Sequence, residues 1–371
     1  MKIGIITMNG YLNIGNRLQN YAVQELLKDR GHETVTIHHA LYDYDADIKT
    51  KIKNAGRNLM ERCGFYSSTF YLSVLKKNPR MILLRDFDRE YVQFSRKYLY
   101  KTNCMHKYKD DFDYYCAGSD QVWNASLVQN RGFFFMNFAE PEKAFSFAAS
   151  MGTTHIPEQF SSTYEQGFNH VKNISVREDS VADLIYRMTG KSSTVLLDPT
   201  LLLSRDKWRF IAKKPAGNLP QKYIATYFLS SATAAQKAFI EKYAKSNGAK
   251  VVDINGSYKN CTGPLEFIHL IANADFIFTD SFHGTAFSII FQKPFLVFQR
   301  NNTYDMSSRI TTILNKFQIG ECFVNIDNNT VNDSLLANID LIQRIDYKKV
   351  NELLSLERDK ANKFLDGVFQ K

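Results

Sequence analysis

Short apolar runs alternate with amphipathic stretches along most of the chain. Residues 2–7 and 33–37 read as strands. Between them, residues 16–29 place Leu18, Ala22, Leu26 and Leu27 on one face of a helix that Gly31 closes. Further strands are expected at 114–117, 144–149, 174–176 and 194–197, with a helical pattern at 179–188. Pro199 and the stretch 215–220, with Gly217 and Asn218 between two prolines, read as a linker. The alternation then restarts. Strands are expected at 223–228, 250–254, 276–279 and 295–298, and helices at 232–246, 264–272, 284–291 and 309–316. Residues 350–365 read as a charged amphipathic helix with Gly367 just past its end. Strands that alternate with helices imply parallel βαβ units. The expected fold class is therefore α/β, with two Rossmann-like domains, a central cleft and a C-terminal helix. The boundaries expected are 1–205, 221–345 and 346–371, with a basic helical insertion at about 45–101. Ligands of open α/β sheets bind at the carboxyl ends of strands, so the loops there are the places to look for chemistry.

Composition sharpens this picture only in places. Hydrophobic residues make up 44% and charged residues 23% of 371, which excludes a mainly disordered or collagen-like chain. No apolar stretch approaches the roughly 18 residues that span a bilayer; the densest run is Phe133-Phe134-Phe135-Met136. The opening residues read as a strand rather than a signal peptide. Cysteines at 63, 104, 116, 261 and 322 are odd in number, scattered and without a CxxC pair, which fits a reducing cytoplasm and no zinc site.

The net charge of +9 is concentrated. Residues 49–101 hold 13 Lys and Arg against 4 acids, interleaved with Phe65, Tyr66, Phe70 and Tyr71. Two readings stand: a solvated helical insertion, or a basic aromatic surface that meets anionic lipid headgroups or a lipid diphosphate. No nucleic-acid motif accompanies the charge, and no nucleic-acid partner is expected.

Four loops carry candidate chemistry. The first, 8–16, holds Gly10 and Gly15 and opens a helix, as a plain turn or as an anion cradle. The second is Gly118-Ser119-Asp120-Gln121-Val122-Trp123-Asn124, directly after a strand. Its carboxylate, amides and indole suit a sugar; the alternative is that Ser119 or Asp120 caps a helix. The third holds Arg177, suited to bind a carboxylate or phosphate, or paired within the chain to Glu178 or Asp179. The fourth is Thr279-Asp280-Ser281-Phe282-His283-Gly284-Thr285-Ala286, where a very apolar strand ends in polar residues before an apolar helix. His283 is the histidine most clearly at such a junction. It reads as a proton-transfer group or as a satisfied structural histidine. Arg309, opening a later helix, could aim a second cation at the same place.

Four stretches together resemble the polysaccharide pyruvyl transferase family: residues 13–22 (Asn13-Ile14-Gly15-Asn16-Arg17 onward), 118–124, the Leu197-Asp198-Pro199-Thr200 turn, and 280–285. They occur in the family's order across most of the chain. The resemblance implies a GT-B-like pair of domains, phosphoenolpyruvate as donor and co-substrate, and a pyruvate ketal on a sugar of a surface polysaccharide or its lipid-linked precursor. His283 matches the family's donor-site histidine, while Ser281 stands where many members carry arginine. The donor's anionic groups are thereby left to Arg177 and Arg309.

On that basis His283 and Asp120 are expected to be catalytic. Arg177, Arg309, Ser281, Gly284 and Thr285 are expected to bind donor, and Asn13, Gly15, Asn16, Gln121, Trp123 and Asn124 acceptor. No metal and no cofactor are expected. The location expected is the cytoplasm, peripheral at the inner face of the membrane, with an oligosaccharide acceptor as partner. Two alternatives stand: a nucleotide-sugar glycosyltransferase, which would share the fold and the cleft, and a non-catalytic sugar-binding protein, which would share the loop from Asp120 to Asn124.

Overall fold

The computed structural model describes residues 1–8, 13–39, 78–99, 102–125, 132–153, 155–300, 308–324, 339, 342 and 345–370. The first half runs β1 (Lys2–Ile6), α1 (Ile14–Lys28), β2 (Glu33–His39), α2 (Pro79–Tyr91), β3 (Phe94–Leu99), β4 (Tyr114–Ala117) and β5 (Ala144–Ser146). It continues with α3 (Ser161–His170), β6 (Ser175–Val176), α4 (Asp179–Thr189), β7 (Thr194–Val195), α5 (Pro199–Leu202) and α6 (Arg205–Ile211). The second half runs β8 (Tyr223–Tyr227), α7 (Ala234–Ser246), β9 (Lys250–Asp253), α8 (Pro264–Asn273), β10 (Phe276–Thr279), α9 (Phe282–Phe291), β11 (Phe295–Phe298), α10 (Ser308–Lys316) and β12 (Phe323–Val324). It closes on α11 (Tyr347–Phe369).

Two five-stranded sheets result, ordered β3-β2-β1-β4-β5 and β12-β11-β10-β8-β9, parallel throughout. The central strands read as near-continuous apolar runs because helices cover both faces. β10, Phe276–Thr279, is buried at every position. Strand order reverses between β1 and β4 in one sheet and between β8 and β10 in the other. Crevices open at such switch points; residues 118–124 follow β4 and residues 280–285 follow β10 there, whereas Arg177 follows β6, a strand of the small β6–β7 sheet.

The halves share one apolar core. The fully buried indole of Trp208, on α6, lies 5.5 Å from the Tyr21 ring on α1 and 4.9 Å from the Phe287 ring on α9. Its Nε1 donates to the Thr200 carbonyl at 2.9 Å, so no polar group is stranded. α11 returns to the first half, where Phe369 meets the rings of His32, Tyr114 and Phe145. The Arg358 guanidinium on α11 donates to the carbonyls of Leu201, Leu202 and Leu203. Gly367 lies inside this helix, not past its end; the burial of Val368 and the docking of Phe369 offset the roughly 1 kcal/mol a helical glycine costs.

The basic segment is described only in part. Residues 40–77 and 100–101 lie outside the described residues, and with them Lys76, Lys77 and the aromatics 65–71. Residues 78–99 are helical only in part: α2 covers Pro79–Tyr91, and Phe94–Leu99 form β3. β3 is the edge strand of the first sheet, paired with β2 through Thr36↔Phe94 and His38↔Tyr98. α2 lies across both halves: Arg17 on α1 bridges Asp88 at 2.8 Å, and the buried Arg80 donates to Asn255 Oδ1 at 2.7 Å. Arg80 is thus held inside the protein rather than on a basic surface. Among the described residues no helix is long and apolar enough to cross a membrane.

Candidate active site

The loops after β4, β6, β7 and β10 bring Ser119, Asp120, Arg177, Glu178, Asp198 and His283 together. All are buried. Asp198, fully buried at the foot of α5, carries the network. Its Oδ1 accepts from Thr200 N at 2.8 Å and Thr200 Oγ1 at 2.6 Å. Its Oδ2 lies 2.6 Å from Arg177 Nη2 and 4.0 Å from His283 Nε2. Arg177 donates further from Nε and Nη2 to Ser119 Oγ, at 2.8 and 2.6 Å. Its partner is therefore Asp198 rather than Glu178 or Asp179, and only Nη1 remains without one.

His283 is the second residue of α9. Ser281 caps that helix, its Oγ accepting from Gly284 N, and Thr285 Oγ1 donates back to the Ser281 carbonyl at 3.0 Å. Across the cleft, α1 presses on the imidazole: a Cβ at Gly15 would lie 2.1 Å from His283 Nδ1. Only glycine permits that approach. His283 Nε2 is buried and unpartnered. Burial lowers the imidazole pKa and Arg177 and Arg309 lower it further, against the pull of Asp198 and Asp120, so the ring is neutral at pH 7. Burial pushes the Asp198 carboxyl up, but Arg177, His283 and Thr200 outweigh it and hold the group below the ordinary carboxylate range.

Arg309, on α10, reaches the same place from the second half. Its Nη1 is 3.9 Å from Asp120 Oδ1, and its Nε is buried without a partner. Both guanidiniums lie over the Phe282 ring, Arg177 Cζ 5.3 Å and Arg309 Cζ 5.6 Å from its centroid. The ring offers each cation a π face. Asp120 takes a left-handed backbone, φ 70°, which aspartate tolerates better than most side chains. Glu178 accepts from Ser150 Oγ and, at 3.2 Å, from Gly152 N; its Oε2 is buried and free of partners.

Several expected binding residues are used by the fold instead. Trp123 is fully buried, stacks on Phe135 at 5.5 Å and donates Nε1 to the Phe134 carbonyl, so it offers no face to a sugar. Gln121 Oε1 accepts from Asn124 Nδ2 at 3.0 Å. Asn13 caps α1 by accepting from Asn16 N at 3.1 Å, and Asn16 is buried. Ser281, Gly284 and Thr285 build the start of α9; a Cβ on Gly284 would strike Thr279 Oγ1. Sequence reasoning gave no role to Asp198, Glu178, Ser119 or Phe282 in this cluster. For Asp198 a signal existed: a carboxylate closing an apolar strand before a proline must be buried, and a buried carboxylate needs a cation.

Chemically, the cluster combines a neutral imidazole with an open nitrogen, two guanidiniums each with an unpartnered N–H group, and an unpartnered carboxylate oxygen. It can hold an anion and move a proton beside it. Among the described residues no group of three or more His, Cys, Asp and Glu side chains is placed to hold a metal ion.

The chain is similar in fold to a putative UDP-N-acetylglucosamine 2-epimerase from Listeria monocytogenes, at 9% identity and a TM-score of 0.51, covering 96% of this chain and 90% of that one. It is also similar to the UDP-GlcNAc 2-epimerase of Methanocaldococcus jannaschii, at 11% identity and a TM-score of 0.50, covering 93% and 92%. A further UDP-N-acetylglucosamine 2-epimerase gives 11% identity, a TM-score of 0.51 and coverage of 99% and 94%. These likenesses show the fold, a GT-B-like α/β arrangement. No protein of curated function matches the chain in sequence. The family profile described as polysaccharide pyruvyl transferase matches residues 13–302, a span that holds every residue of the cluster except Arg309. The chain belongs to the polysaccharide pyruvyl transferase family.

Proposed function

We propose that the protein transfers the enolpyruvyl group of phosphoenolpyruvate to two hydroxyls of one sugar, giving a cyclic pyruvate ketal and inorganic phosphate. The observation that supports this reading is His283 Nε2, unpartnered and flanked by Arg177 and Arg309, each with an unpartnered N–H group. In the free protein His283 is neutral. A bound phosphate and carboxylate oppose the effect of the guanidiniums, so donor binding loads a proton onto the imidazole. That proton goes to the methylene carbon and makes it a methyl. The adjacent carbon becomes cation-like, and a sugar hydroxyl adds to it. The C–O bond to phosphate breaks, the second hydroxyl adds, and the ring closes. Of the two hydroxyl protons, one restores His283 and the other leaves with phosphate. Glu178 Oε2 and Asp120 are the carboxylates beside this place that can accept a hydroxyl proton. As written, the steps need no cofactor; phosphoenolpyruvate is a co-substrate.

The acceptor in this reading is a sugar of a surface polysaccharide or of its lipid-linked precursor, modified in the cytoplasm. Contact with the membrane, in the same reading, falls to residues 49–77, which carry most of the basic excess. The test is a titration with phosphoenolpyruvate and, separately, with UDP-sugars. The expected result is saturable binding of phosphoenolpyruvate with proton uptake, measured by calorimetry in buffers of different ionisation enthalpy. A protein that binds a UDP-sugar and ignores phosphoenolpyruvate is a glycosyltransferase or epimerase, and the proposal fails.

A further inference from the structure

A cavity of about 320 Å³ opens at the carboxyl ends of β8 and β11, beside the strand that leads into His283. One side is aromatic: Phe228 and Phe298 line it, their rings stacked at 5.9 Å and 25°. The other sides are lined by Ser231 and Gln299, by Ser230, whose hydroxyl donates to the Asp280 carboxylate, and by Gln236, whose Oε1 accepts from Thr233 N in the cap of α7. Asp280 is the only charged residue of the described lining. Its carboxylate is already held by the N–H groups of Leu229, at 2.6 Å, and Ser230, at 2.9 Å. Arg300 stands 3.5 Å from it and also donates Nε to the Asp280 carbonyl at 2.9 Å.

This lining is the wrong chemistry for the donor. A trianion placed here meets a carboxylate and two aromatic faces, and Arg300, the cation beside Asp280, is engaged with it. A nucleoside diphosphate faces the same objection at its phosphates. Hydroxyls and amides beside a pair of stacked rings instead suit a neutral ring rich in hydroxyls. The volume lies at the small end of ligand pockets, about 300–1,000 Å³, and so favours a single ring. The loop expected to receive the acceptor, residues 121–124, spends its side chains internally.

We propose that this cavity seats one uncharged sugar ring, next to the helix that carries His283. That the sugar is the pyruvyl acceptor rests on the function proposed above; that the cavity binds a sugar does not.

The experiment is saturation-transfer NMR on the full chain with the methyl glycosides of galactose, glucose and mannose, without phosphoenolpyruvate. At least one glycoside is expected to bind the wild-type protein. Ser231 is exposed, so Ser231→Trp can fill the cavity from its mouth; that variant is expected to weaken binding at least tenfold. Should it fail to fold, Gln299→Ala carries the same test through a smaller change. His283→Ala is expected to bind the glycoside as the wild type does. The proposal is overturned if no glycoside binds, if filling the cavity leaves binding unchanged, or if uridine displaces the bound glycoside. Glycoside binding that survives while phosphoenolpyruvate is ignored leaves the cavity assignment standing and removes the pyruvyl-transfer reading. Saturable phosphoenolpyruvate binding with glycoside binding indifferent to Ser231→Trp does the reverse.

Discussion

At the scale of single residues, the two arginines do different work. Arg177 neutralises the fully buried Asp198. Removing one partner of a buried pair strands the other and typically costs about 3–5 kcal/mol. Arg177→Ala is therefore expected to lose stability on that scale in chemical denaturation as well as donor affinity. Arg309 faces Asp120 across 3.9 Å, a looser pair, so Arg309→Ala is expected to weaken donor binding with a smaller change in stability. Equal loss of stability in both variants would contradict the division. His283→Ala is expected to lower turnover by about 10²–10⁴-fold with the melting temperature little changed. Asp198→Asn addresses the proton. Because Asp198 favours the charged imidazole, its neutralisation lowers the His283 pKa further. In the wild type, kcat/KM is expected to fall as pH rises through the free-enzyme His283 pKa, which burial holds below the ordinary 6.5. Asp198→Asn is expected to move that limb to lower pH; a shift upward contradicts the network.

At the scale of elements, the strand–helix alternation was legible because both sheets are buried on both faces and leave uninterrupted apolar runs. The strands at 114–117, 276–279 and 295–298 fall where the pattern puts them. β3 was not legible: its sequence, Phe94 to Leu99, is interrupted by Ser95, Arg96 and Lys97, as an edge strand's can be. Trp123 and Asp198 show why the site was only half readable. Both follow strands, yet an indole that serves the core and a carboxylate that serves the site differ only in what the rest of the chain brings to them. Gly15 is a case where one element constrains another. Gly15→Ala at the start of α1 is expected to displace the His283 ring and cost turnover while leaving donor affinity within a few-fold, measured by the split between kcat and the donor constant. His38 on β2 is held neutral by burial, its pKa pushed down to about 4. A lowered histidine adds stability above pH 6.5 that is lost as pH falls toward 4, at most about 3 kcal/mol. Denaturation midpoints measured across that window are expected to fall on acidification, and His38→Asn is expected to flatten part of the slope.

At the scale of the whole molecule, the clustered groups come from both halves. Gly15, Ser119, Asp120, Arg177 and Asp198 belong to the first half, and Phe282, His283 and Arg309 to the second. The halves are held by the Trp208 core, by α2 through Arg17 and Arg80, and by the return of α11. The cluster thus draws on both halves, and it brings anion-binding and proton-carrying groups to one place. The most direct measurement is calorimetric titration of phosphoenolpyruvate into the wild-type protein and Arg309→Ala at pH 7, in two buffers of different ionisation enthalpy. The account predicts saturable binding with proton uptake in the wild type, and affinity reduced at least tenfold in the variant. Absence of binding to the wild type, or binding indifferent to Arg309 and to buffer, would contradict it.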